Sequence, residues 1–97
     1  ILSWLERKVP VDWSQWTLSN RRAFWGGGMR GEVELVERDR VCAVEVWAEC
    51  LMQEPGRLRR VDSAEINGIL VNAPGWVRDK NMNRYGPYGG QRGFRRA

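Results

Sequence analysis

The stretch Asp39–Gln53, DRVCAVEVWAECLMQ, constrains this chain more than any other. Val41, Val44, Trp47, Ala48 and Leu51 recur at helical spacing, and Cys42, Val46 and Cys50 widen the apolar stripe. Only Arg40, Glu45, Glu49 and Gln53 suit water. A helix apolar over most of its circumference is normally buried on more than one side, so the rest of the chain must pack around it. Asp39 is the expected N-cap, Pro55-Gly56 the stop, and Trp47 the centre of the core.

What surrounds this hub is short. Ninety-seven residues supply a single modest core. Ile1 to Lys8 is a brief amphipathic piece, without an initiator Met or a cationic signal region, and reads as a segment cut from a longer protein. Val9-Pro10-Val11 is extended, because proline biases its predecessor away from helix. Thr17 or Ser19 caps a short helix through Trp25 that ends at Gly26, and Trp13 and Trp16 pack onto the hub. No run approaches the ~18 apolar residues of a membrane span.

Cys42 and Cys50 sit eight residues apart on the hub. At about 1.5 Å per residue their backbones are too far apart to form a disulfide with each other. With no histidine in the chain they make no zinc site, so they read as small hydrophobes of a reducing, cytoplasmic protein. No metal or other cofactor is implied.

Two patterns that suggest chemistry fail on inspection. Gly26, Gly28 and Gly31 match G-x-G-x-x-G, but a helix precedes them and the strand-like Glu32-Val33-Glu34-Leu35 follows, the reverse of a dinucleotide fingerprint. A flexible linker is the better reading. Glu45 and Glu49 form the only carboxylate pair on one helical face, a spacing more often found on a solvated stripe than in an acid–base site. The chain is not expected to be an enzyme.

Charge is more informative. Residues 1–54 hold seven basic and nine acidic side chains, whereas residues 55–97 hold nine and three. Fourteen of the sixteen cations are arginine, which pairs bidentately with phosphate and stacks on flat rings. An arginine-rich half with interleaved aromatics is the footprint of a nucleic-acid binder.

The second half also has a readable shape. Gly56 to Arg60 is a compact basic turn, and a helix over 62–73 opens on an Asp62/Glu65 capping box, with Val61 stapled to Ile66. Ile66, Ile69, Leu70 and Ala73 are its buried face, and Ser63, Ala64, Asn67, Gly68 and Val71 its outward one. That outward face holds no cation and suits a protein contact better than a groove. Val77–Tyr85 and Gln91–Arg96 read as strands joined by Gly86-Pro87-Tyr88-Gly89-Gly90. The class is therefore α+β: a small winged-helix-like domain over 37–97, with residues 1–36 as an N-terminal extension packed on it in one structural unit. The hub would be its first helix, 56–60 a degenerate second and 62–73 the third.

Val9-Pro-Val-Asp-Trp, Arg21-Arg22, the run from Arg38-Asp-Arg-Val-Cys to Glu49-Cys-Leu, Asp62-Ser-Ala-Glu-Ile, Pro74-Gly-Trp and Tyr85-Gly-Pro-Tyr-Gly-Gly-Gln-Arg-Gly-Phe together resemble the C-terminal region of virulence-associated E family proteins. These are replication proteins of phages and mobile elements with a helicase-type ATPase core. The ATPase motifs lie upstream of this region, so the resemblance implies an accessory module. Its implied partners are DNA, the upstream ATPase domain of the same polypeptide and a replication protein, with no membrane. The expected DNA contacts are Arg57, Arg59 and Arg60 on the basic turn and Arg78, Lys80, Arg84, Arg92, Arg95 and Arg96 on the hairpin, mainly to phosphates and with weak sequence preference. Tyr88 at the hairpin tip either stacks on an exposed base or folds back on Tyr85 or Phe94.

Overall fold

In the computed structural model, which describes residues 1–27 and 33–97, the hub stretch divides into two elements. Arg40–Val41 form a short strand, β3, and Cys42 is the extended N-cap of helix α3 (Ala43–Glu45). The helix continues as a π-helical turn over Val46–Cys50, in which the Leu51 N–H donates to the Val46 carbonyl at 3.0 Å. The expected start at Asp39 is thus corrected. β-Branched Val41 enters a sheet instead, opposite Phe94, and the Asp39 carbonyl accepts from the Arg96 N–H.

The buried face of the hub is corrected too. Cys42, Glu45, Val46, Ala48 and Glu49 are buried, while Trp47 is half-buried and Leu51 exposed. Positions 42, 45, 46 and 49 still have helical spacing, but the stripe is turned by one residue, about 100°, from the purely apolar one. Two glutamates face inward because two arginines meet them there.

Elements before the hub close the core over it. Helix α1 (Leu2–Leu5) buries Trp4 and Leu5, and β1 (Val9–Pro10) pairs antiparallel with β2 (Leu35–Val36). Helix α2 (Leu18–Trp25) is capped by the Thr17 hydroxyl, which accepts from the Asn20 N–H at 3.2 Å, and stops at Gly26 as the residues suggested. Trp4, Trp13 and Trp25 form an aromatic cluster with centroids 5.4 Å apart between Trp25 and each of the others. The glycine run from 28 to 31, read as a linker, lies outside the described residues.

After the hub, a 3₁₀ turn (Pro55–Arg57) leads to α4 (Arg60–Val71). Its capping acid is Asp62 at the third helical position, which accepts from the Arg59 N–H at 3.1 Å; Asp62 is inside the helix and not its N-cap. Ile66, Leu70 and Ala73 are buried as expected, but Ile69 is exposed. The helix stops at Asn72, and Gly75 takes φ +81° before Trp76 opens β4.

Strands β4 (Trp76–Arg84) and β5 (Gly90–Arg96) form the hairpin, joined by a 3₁₀ turn over Gly86–Tyr88. The sheet order is β3-β5-β4, all antiparallel. The order of helix, strand, two helices and hairpin, with the first strand paired to the last, is winged-helix-like, but its members are shifted. The first helix is α2, the hub α3 is the second and α4 the third, so the N-terminal third is part of the α+β core. The hub helix, expected as the first of the fold, is preceded by α2 and β3.

Gly93 shows how tightly this sheet is packed. A Cβ there would collide with the Val41 carbonyl and the Tyr85 hydroxyl. Gly93→Ala should destabilise the protein by about 1–3 kcal/mol through overpacking, read by chemical denaturation. A variant as stable as the parent would mean that β3 and β5 are not held at this spacing.

Candidate nucleic-acid interface

The cations assigned from sequence divide into two kinds. Arg59 is tied to Asp62 through Nε at 3.0 Å and Nη2 at 3.2 Å, which raises the Arg59 pKa and lowers that of Asp62. Arg96 stacks on Trp76 with 4.5 Å to the ring centroid, donates to the Arg38 carbonyl at 2.8 Å and pairs with Glu6 at 3.2 Å. Both do structural work. Arg57, Arg60, Arg78, Lys80, Arg84, Arg92 and Arg95 are exposed and form no ion pair among the described residues.

The sheet gathers some of these and adds one that the sequence reading left out. Arg40 on β3 is the direct cross-strand partner of Arg95 on β5, and Val77 on β4 continues the row. Like charges directly opposite each other weaken a ladder. Arg92 lies across from Met82, and Arg78 reaches over the Phe94 ring at 5.0 Å. The hairpin's only acid, Asp79, accepts from the Asn81 N–H at 3.0 Å and from Asn83 Nδ2 at 2.8 Å, inside the irregularity of β4. It therefore pairs with none of the arginines. The turn at Pro55–Gly56 borders a shallow depression shared with Pro87 and Tyr88, so Arg57 follows a segment adjoining the hairpin tip.

Behind this surface lies an ionic cluster that periodicity did not reveal. Arg21, Arg38, Glu45 and Glu49 are all buried, none more than 3% exposed. Arg21 Nη1 donates to Glu45 Oε2 and Glu49 Oε2, each at 3.0 Å, and Nη2 donates to the Trp13 carbonyl at 2.7 Å. Trp25 Nε1 donates to Glu49 Oε1 at 2.8 Å. Arg38 lies over Trp4 at 4.1 Å, with Nη1 3.2 Å from Glu45 Oε2 but not aligned for a hydrogen bond. Burial pushes the Glu45 carboxyl above its ordinary range, against the pull of Arg38. Two cations and two anions leave the cluster neutral, so the chain's net charge of +4 sits outside it. The solvated-stripe reading of Glu45 and Glu49 is corrected.

Tyr88 belongs partly to the same cluster. Its hydroxyl donates to Glu49 Oε2 at 2.5 Å, and its ring is half-buried with Arg21 5.8 Å from the centroid. Burial first, then Glu49, pushes its pKa up. The hairpin tip therefore folds back farther than expected, onto the hub instead of onto Tyr85 or Phe94. Both cysteines are free thiols; burial first, then Glu45, pushes the Cys42 thiol up, the opposite of an activated nucleophile.

No protein-family model matches this chain, and no curated protein shows significant similarity to it. No helix among the described residues is long and apolar enough to cross a membrane.

Proposed function

We propose that this chain is an accessory nucleic-acid-binding module, of the kind found in phage-type replication proteins resembling the virulence-associated E family, working in the cytoplasm without catalysing a reaction itself. The observation that carries the reading is the Arg40–Arg95 cross-strand pair. A fold that accepts this repulsion on an open sheet gains from it when an anionic partner lies across both side chains. Arg84 and Lys80 add further exposed cations on the hairpin, as do Arg92 and Arg78 from the Phe94 side of the sheet, and a polyanion with regularly spaced charges matches so many cations better than a single acid. Contacts of this kind go to phosphates and give weak sequence preference.

Arg40→Gln combined with Arg95→Gln should lower affinity for DNA and reduce the slope of log K against log salt. The reduction is about 0.9 per lost phosphate contact on duplex or about 0.7 on single strands. Thermal stability should hold or rise, since the repulsion goes too. Arg7→Gln with Lys8→Gln, exposed cations outside the β3–β5 row, should do much less. Equal losses from both pairs would show diffuse attraction without a site.

A docking module is the second reading, favoured by the outer face of α4. Val61 and Val71 are 52% and 51% exposed there, and nothing lies within 4 Å of a Cβ built at Gly68. Failure to bind any DNA at low salt would favour it.

A further inference from the structure

The face of α4 turned away from the core carries an ordered pattern. At about 100° per residue, Val61, Ala64, Gly68 and Val71 lie within about 40° of the direction opposite the buried Ile66. All four are exposed. Their spacing is that of a two-heptad seam, with Val61 and Gly68 at its a positions and Ala64 and Val71 at its d positions. Glycine is a poor choice for the middle of a helix, and a Cβ at Gly68 would meet nothing within 4 Å, so packing inside the chain does not call for it. Ala64 and Gly68 leave room there for a second helix to come close.

Charge along the edges of the seam selects that helix. Arg60 and Asn67 border one side, Glu65 and Asn72 the other. Arg60 and Glu65 are exposed, and neither forms an ion pair among the described residues. Their separation puts them on opposite flanks of their own helix, beyond the reach of an intrahelical pair. In two parallel copies of α4 opposite flanks meet, so Arg60 of each copy reaches Glu65 of the other, and Asn67 reaches Asn72 one heptad on. In an antiparallel pair like flanks meet, and the register that seats Val61 against Val71 sets the two Glu65 side chains side by side.

We propose that α4 packs in parallel on α4 of a second copy of this chain, through the seam from Val61 to Val71, with Arg60 of each copy paired to Glu65 of the other. This rests on the docking reading of the α4 face, to which it gives a partner. A helix of 12 residues is about 18 Å long. Its seam is small against the roughly 1,600 Å² of a standard stable interface, so the association is weak and reversible.

The test is sedimentation of the whole chain over protein concentrations rising to millimolar, where the parent should pass from monomer to dimer. Arg60→Glu and Glu65→Arg should each weaken the dimer at least about 5-fold, because symmetry removes two ion pairs and adds two repulsions. The double swap should regain the parent's affinity. Both side chains are exposed, so all three variants should melt like the parent. Orientation is read separately. Val61→Cys should give a covalent dimer on mild oxidation, as should Val71→Cys, above the background set by the parent's Cys42 and Cys50. Covalent dimers that form only when the two variants are mixed would mean an antiparallel pair and overturn the proposal. A dimer indifferent to both charge reversals would overturn it as well, since another surface would be holding it. So would a parent that stays monomeric without cross-linking. If that monomer binds no DNA, the docking reading survives with a different partner; if it binds DNA, the docking reading falls too.

Discussion

Arg21→Leu is expected to destabilise the fold by about 3–5 kcal/mol, because it leaves buried charges without their partner. Arg21 bridges Glu45 and Glu49 and also holds the Trp13 carbonyl, so its removal leaves two buried carboxylates with Arg38 as the one remaining buried cation among the described residues. A domain of this size has a total stability of about 5–15 kcal/mol, so the loss is a large share. The penalty should shrink as pH falls. Burial already raises the Glu45 pKa, and losing Arg21 raises it further. An acid whose folded-state pKa lies above its unfolded one takes up a proton more readily when folded. The cost is therefore full above the raised pKa and relieved below it. Urea denaturation of parent and variant between neutral and acid pH measures both effects. A loss under about 1 kcal/mol at neutral pH, the scale of an exposed ion pair, would mean that the cluster is hydrated and not buried.

The second large effect separates two tryptophans. Trp25→Ala should cost about 3–5 kcal/mol, as expected for deleting a packed aromatic side chain. Trp25 is 8% exposed, meets Trp4 and Trp13 at 5.4 Å, and donates to Glu49. Its loss opens a cavity and strips a buried carboxylate of one donor. Trp47→Ala should stay within the ordinary range of about 0.5–3 kcal/mol. Trp47 is half-buried and donates to the exposed Glu54 carbonyl at 2.7 Å. The same denaturation experiment ranks them, and a larger loss at Trp47 would restore the hub as first read, with Trp47 at its centre.

The sequence by itself determined the parts whose causes are local. Thr17 caps α2 and Gly26 ends it; the hairpin forms around Gly86-Pro87-Tyr88-Gly89. Each depends on side chains within a few residues of the backbone they direct, so reading along the chain finds them. The surplus of cations in the second half was legible for the same reason, as was their exposure, since charges without partners stay in water.

Tertiary structure alone decided which face of the hub is buried. Apolar spacing pointed to Trp47 and Leu51, yet Glu45 and Glu49 went inside, because their partners arrive from far away in the chain. Arg21 precedes them by 24 and 28 positions, and Tyr88 follows Glu49 by 39. A buried carboxylate is prohibitive alone and tolerable when paired and hydrogen-bonded, so the identity of a residue does not settle its side of a helix. The Arg40–Arg95 row has the same origin. It exists only because β3 finds β5 across more than fifty residues, and that pairing placed an arginine from the acidic half on the basic face.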